Sequence, residues 1–202
     1  VQRAAIPVRA ATPADAAVIA ATLARAFIED PVLGYLFPDA ASRPRKLFQF
    51  FTLIVRAETR PADTLIAGDG AAAAIWRAPG EWRTPVSAML RLAIPMLTTF
   101  GSGLMRALRL QSLIEAHHPA APHWYLAFAG CDPPRHGRGF GGAAIRARLA
   151  QCDAAGLPAA LETANEANLT IYAALGFVVS GTYDAAPGLR FWSMWREPVT
   201  AR

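Results

Sequence analysis

The stretch Arg135-His136-Gly137-Arg138-Gly139-Phe140-Gly141-Gly142, RHGRGFGG, packs four of the chain's fifteen glycines into eight residues. Glycine loses the most conformational freedom when the chain orders, so a run of them marks a place that needs bare backbone. Strong helix formers follow, and the spacing predicts a helix over Gly139–Ala155 that the glycines open. The first amides of a helix have no partner within it, and they and the helix dipole favour an anion. The stretch therefore reads as an anion site, and its neighbours must say which anion.

Upstream, His123–Cys131 (HWYLAFAGC) is a nearly uncharged run predicted as a strand, and Pro158–Thr163 (PAALET) downstream is a second. Strand, helix and strand at this length predict a parallel βαβ unit with a right-handed crossover. Asn165–Leu175 predicts a short helix stopped by Gly176, and Phe177–Thr182 and Leu189–Trp195 predict two closing strands. Toward the amino end, Ile6–Thr12 predicts a strand. Thr12-Pro13-Ala14-Asp15 then starts a helix reaching Glu29. Asp30–Asp39 (DPVLGYLFPD) reads as a loop from its prolines, although its large apolar side chains must pack down or line a pocket. Arg45–Glu58 is a helix candidate, and Thr64–Pro79 a hairpin turning at Gly68-Asp69-Gly70. Arg83–His118 has a helical pattern, broken near Pro95 and at Gly101-Ser102-Gly103.

The bulk properties narrow the class. A chain of 202 residues, 53% hydrophobic and 17% charged, suits one compact domain and excludes disorder. Net charge is +5 with Lys46 the only lysine, which suits an anionic ligand. The arginines are dispersed rather than interleaved with aromatics, so nucleic acid is not an expected partner. Cys131 and Cys152 are too few for a disulfide framework or a zinc site and read as free thiols. His117, His118 and His123 lack an accompanying ligand pattern and read as capping or surface groups, so no metal is expected. No secretory signal opens the chain, and the longest uncharged apolar run, Leu92–Met105, is too short to span a bilayer. The expectation is a soluble cytoplasmic protein without membrane contact.

Two familiar phosphate loops fit poorly. A P-loop needs a Lys-Ser/Thr pair, and none follows the glycines. Gly137, Gly139 and Gly142 do match the dinucleotide-binding spacing, with Glu162 placed 20 residues beyond Gly142 as a ribose ligand. Against that reading, Asp132–His136 intervene between strand and glycines, and the motif begins too late in the chain to leave room for the rest of such a sheet.

LAFAGCDPPRHGRGFGGAAI (126–145) and LETANEANLTIYAALGFVVSG (161–181) together resemble the donor-binding core of the Gcn5-related N-acetyltransferases. The resemblance is good over Trp124–Arg196 and loose elsewhere. It implies an α/β (mixed α+β) fold with a central, mostly antiparallel sheet, a splayed parallel βαβ core and flanking helices. It implies one domain over 1–202, with a helical insertion at about 83–118 before the donor-binding core 123–182. The co-substrate implied is acetyl-CoA. His136, Gly137, Arg138, Gly139, Phe140, Gly141 and Gly142 would hold its pyrophosphate. Ala129, Gly130 and Cys131 would pair with the pantetheine arm and supply an oxyanion amide, and Gly130 suits a bulge or a close approach. Asn168 would hold the pantetheine, and Tyr172, one helical turn on, would be the general acid for sulfur or else a core aromatic.

This chain departs from the family at His136, where Gln or Arg is usual, which points to weaker or pH-sensitive donor binding. Gly142 fits a phosphate contact or simple close packing. Arg135, Arg138 and Arg146 are phosphate candidates, with Arg138 favoured inside the loop and Arg146 read as a solvated helix residue. Glu162, facing the cleft by strand alternation, is the first choice of general base; Glu115, Glu29 and Asp30 are rivals. Tyr35, Phe37, Trp76, Trp82 and Trp192 suit either an acceptor pocket or the core. The resemblance is nearest the small-molecule subgroup that includes puromycin N-acetyltransferase, which implies a small amine as acceptor and leaves a homodimer open. The function expected is acetyl transfer to an amine by direct attack in a ternary complex. The alternatives are a non-catalytic acyl-CoA-binding regulatory module and a dinucleotide-binding protein.

Overall fold

The computed structural model describes residues 5–58, 60–83 and 86–199, with side chains throughout except over 86–91. In chain order its elements are β1 (Val8–Ala10), α1 (Ala16–Ala26), α2 (Pro31–Leu36), α3 (Arg43–Ala57), β2 (Thr64–Ala67), β3 (Ala72–Arg77), α4 (Val86–Phe100), α5 (Leu104–His117), β4 (Trp124–Cys131), α6 (Phe140–Ala155), β5 (Ala159–Thr163), α7 (Ala167–Ala173), β6 (Val178–Ala186) and β7 (Leu189–Arg196). The strands make one seven-stranded sheet in the order β1-β2-β3-β4-β5-β7-β6. Every neighbouring pair is antiparallel except β4 with β5. The mixed, mostly antiparallel sheet is the one expected. A dinucleotide fold needs a run of parallel strands, so that alternative falls here.

Both faces of the sheet are covered. Along β3, Ala72, Ala74 and Trp76 meet Ala144, Ile145 and Leu149 of α6, while Ala73 and Ile75 meet α1 and α3 on the other face. Burial on both sides is why AAAIW shows no polar alternation. The hairpin between β2 and β3 turns where predicted, with Gly68, Asp69 and Gly70 all at positive φ.

Several boundaries move, each for a local reason. The expected loop at Asp30–Asp39 contains a helix, because Asp30 is extended and its Oδ1 accepts the amides of Val32 and Leu33 at 3.0 Å each. Asp30-Pro31 is thus an N-cap followed by a first-turn proline. α1 ends early, at Ala26 rather than Glu29, because Phe27 leaves helical backbone at φ −102 while its amide still bonds Leu23 O. Pro95 does not break α4, which runs through it to Phe100; the break falls at Gly101, at φ +52. The beginning expected at Arg83 lies partly outside the described residues. α7 is shorter than predicted because Asn165 turns the chain, its side chain accepting the Ala167 amide at 3.1 Å. β6 runs past Thr182 to Ala186.

Candidate active site

β4 and β5 pair only over Trp124–Leu126 and Ala159–Leu161. Beyond Leu126, β4 keeps its ladder with β3 as far as Cys131 but, among the described residues, has no strand on its other edge. The register shows where the strand changes course. Phe128 is opposite Ile75 and Leu126 opposite Trp76, so Ala127 is an extra residue on β4. A bulge of this kind bends the strand and increases its twist. The predicted pantetheine residues Ala129, Gly130 and Cys131 lie on this open edge, opposite Ala74, Ala73 and Ala72 of β3. The bulge suggested for Gly130 is therefore at Ala127, and Gly130 is a close approach instead. A Cβ there would sit 2.8 Å from Ala26 Cβ and 2.9 Å from Leu23 Cδ2 of α1.

The glycine loop leaves β4 with the Asp132 amide bonded to Ala71 O at 2.8 Å. The Asp132 carboxylate takes two bonds from Arg25 of α1, at 2.8 and 3.0 Å, and these hold it below the usual carboxylate range. Gly137 (φ +73) and Gly139 (φ +89) occupy the left-handed region that side chains disfavour. α6 has no side-chain cap, and its first ladder bond runs from the Ala143 amide to Gly139 O. The amides of Phe140, Gly141 and Gly142 thus precede the ladder. Burial pushes the Cys131 thiol up, while the Gly141 amide facing it pulls it back.

The side chains of this loop divide the work. His136 turns back, with Nε2 2.9 Å from Cys131 O, and so braces the strand end. The Phe140 ring packs on Gly68 and anchors the loop to the β2–β3 turn, so this residue offers its amide to the site. A Cβ on Gly142 would lie 3.1 Å from both terminal nitrogens of Arg146. The Arg146 guanidinium is exposed, as expected of a solvated helix position, and folds over the first turn of α6. Arg135 and Arg138 are exposed.

Asn168 and Tyr172 share a face of α7, and the Tyr172 ring packs against Phe177 and the core beneath α6. Burial, with the Asp30 carboxylate second, pushes the Tyr172 hydroxyl up to about 12, so it keeps its proton at neutral pH. Glu162 is the first residue of β5 beyond the paired segment, on the face opposite Leu161. Tyr183 OH donates to its Oε1 at 2.9 Å and Tyr125 OH to its Oε2 at 3.2 Å. Burial raises the Glu162 carboxyl above its ordinary value, and the two phenols oppose the rise. Of its rivals, Asp30 caps α2, Glu115 pairs with Gln111 and Arg83, and Glu29 is exposed.

The sequence reading missed Tyr125 and Tyr183. Tyr125 was within reach, since it and Glu162 stand on the same face of neighbouring strands that are otherwise apolar. The aromatic candidates separate: Trp76 and Phe37 are core, while Tyr35 and Trp192 are half-buried. The surface reading of the histidines holds for His117, whose Nδ1 donates to Leu113 O at 2.9 Å, but not for the other two. His118 stacks on Trp82 at 3.7 Å, and His123 is 4% exposed. Both are pushed down by burial, His118 to about 4. Among the described residues no three His, Cys, Asp or Glu side chains converge on one point, and no helix is long and apolar enough to cross a membrane.

No model of a known protein family matches the chain. An uncharacterised N-acetyltransferase of Schizosaccharomyces pombe is 30% identical over 170 residues, which cover 79% of this chain and 69% of that protein. A solved structure from Corynebacterium glutamicum, described as a histone acetyltransferase and related acetyltransferase, is 25% identical. It superposes with a TM-score of 0.71 over 98% of this chain and 99% of its own. The polyamine N-acetyltransferase of Drosophila melanogaster shares the fold at 15% identity, with a TM-score of 0.62 over 94% of this chain and 98% of its own. Relative and fold agree with what the split strands and the glycine-opened helix imply, and the chain belongs to the Gcn5-related N-acetyltransferase superfamily.

Proposed function

We propose that this chain, as one domain with α4 and α5 inserted, transfers acetyl from acetyl-CoA to the amine of a small molecule in a ternary complex in the cytoplasm. The observation that carries the reading is the parting of β4 from β5 beside the uncapped end of α6. A split of this kind offers peptide groups to an extended amide-bearing arm, while the α6 amides and Arg146 suit its phosphates. These residues fit coenzyme A, which supplies the acetyl group as a thioester. Gly137–Gly142 bind the pyrophosphate, the open edge at Ala129–Cys131 and Asn168 hold the arm, and an amide of that edge faces the developing oxyanion.

Glu162 takes one proton from the acceptor ammonium. The neutral nitrogen then forms the C–N bond, and the C–S bond breaks. Tyr172 donates its hydroxyl proton to the leaving sulfur and recovers one from the acetylated nitrogen. The recovery belongs to the same step. Handing a proton from a phenol near 12 to a thiolate of ordinary basicity is uphill by about 5 kcal/mol. A small acceptor is supported by the Drosophila neighbour, which forms N-acetylagmatine. The test is calorimetric titration with acetyl-CoA, with NADH and NADPH as controls. Micromolar binding of acetyl-CoA alone is expected, and binding of a nicotinamide instead would overturn the proposal.

A further inference from the structure

Glu162 lies where four elements meet. Tyr125 reaches it from β4 and Tyr183 from β6, each on a different oxygen. Ser193 of β7 is its cross-strand partner, and its hydroxyl faces the carboxylate. From α5, His117 stacks on Tyr183 at 3.9 Å and 13°, and Phe191 stacks on Tyr183 at 5.2 Å and 3°. Stacking on both rings holds the plane of Tyr183 while its hydroxyl donates to the carboxylate. Behind Tyr125 stand His118, edge-on at 4.8 Å, and Arg77, which is itself tied to Glu58 and Trp82 O. A carboxylate bonded on both oxygens by fixed donors keeps one orientation, with its remaining lone pairs turned outward.

We propose that Tyr125 and Tyr183 are positioning residues for Glu162, and that His117, through its stack on Tyr183, ties the placement of that carboxylate to helix α5. This rests on the reading of Glu162 as the base. The consequence for proton affinity has a definite sign. Burial raises the Glu162 carboxyl, and the phenol hydrogen bonds, His117 and Ser193 lower it. Removing either phenol therefore raises it further, and the base ionises only at higher pH.

The experiment measures two things on the full-length protein. One is the ¹³C NMR titration of the Glu162 carboxyl, assigned with Glu162→Gln, which needs no acceptor. The other is coenzyme A release against pH, with acetyl-CoA and agmatine, spermidine or tryptamine as acceptor. Tyr183→Phe is expected to move both the NMR midpoint and the acidic limb of kcat/KM up by about half to one pH unit. It should also lower kcat by about three- to tenfold while leaving KM for acetyl-CoA within about twofold. Tyr125→Phe, with the longer bond, should give the same pattern at about half the size. His117→Ala should shift the midpoint in the same direction, and His117→Phe, which restores the stack but not the charge, should recover part of that shift.

If Tyr183→Phe does not fold, Tyr125→Phe and the His117 pair decide between the outcomes. Unmoved midpoints in the folded tyrosine variants overturn the positioning role, whatever the activity. A Glu162→Gln protein that keeps its rate and its acidic limb overturns instead the reading of Glu162 as base.

Discussion

The amino ends of α2 and α6 meet the same need in opposite ways. Asp30 closes α2, taking two of its free amides on one oxygen, and burial holds its carboxyl above the ordinary value despite those bonds. α6 opens on Gly139 in the left-handed region with no side-chain cap. The first end is complete in itself. The second leaves the amides of Phe140, Gly141 and Gly142 ahead of the ladder, where the proposed site places an anion. α1, α3, α5 and α7 also lack a side-chain cap, so what sets the α6 end apart is Gly139 in the left-handed region beside the split strands.

If α6 binds and α7 reacts, mutation should separate the two functions. The largest effect is expected from Tyr172→Phe, which should lower kcat by about a hundredfold or more while the calorimetric Kd for acetyl-CoA stays within about twofold. Parallel losses of binding and turnover would make Tyr172 a packing residue, and an unchanged kcat would remove it from the role of general acid. Gly139→Asp gives α6 the cap that α2 has, at a strained φ and with a charge facing the phosphates. It should weaken acetyl-CoA binding about a hundredfold, and an unaltered Kd would sink the anion reading of the loop.

Smaller changes sharpen the contrast. Arg146→Ala should raise Kd by about three- to tenfold at low salt, with the gap to wild type closing at about 0.5 M salt as the charge is screened. Asp30→Ala opens α2 instead. It should cost about 1 kcal/mol of stability, or about 2–4 °C in Tm, without changing Kd. The pH dependence follows from the raised Asp30 carboxyl. The fold favours its protonated form, so wild type loses part of its stability as pH rises above the ordinary 3.8 through the folded value. Thermal melts across that window should therefore fall less steeply for Asp30→Ala, and identical slopes would contradict the sign.

What the sequence disclosed follows the same division. Bare backbone shows in residue type, so Gly137 and Gly139 announce the loop by themselves. Side chains four apart on one helix, such as Asn168 and Tyr172, are equally readable. The split follows only from the family resemblance and not from local pattern, because its bulge falls on Ala127, and an extra residue in a strand carries no mark of its own. Asp30-Pro31 spells a helix start as readily as a loop, and the burial of neighbouring apolar residues decides between them. Tyr183 meets Glu162 across a β-hairpin whose register follows from its irregular pairing, beyond the reach of local pattern.

The open edge of β4 has one more consequence. Its contribution to the proposed site is peptide groups, and every residue type but proline carries the same ones. Apart from Gly130, which α1 presses against, and Phe128, whose ring packs on Phe27, Phe50 and Phe51, the side chains of Ala127–Cys131 can change with little effect on what the edge offers. Insertion or deletion of a single residue would shift every one of those groups. The inheritance of such a site is a matter of spelling length rather than spelling letters, and chains with few identities left can still keep it.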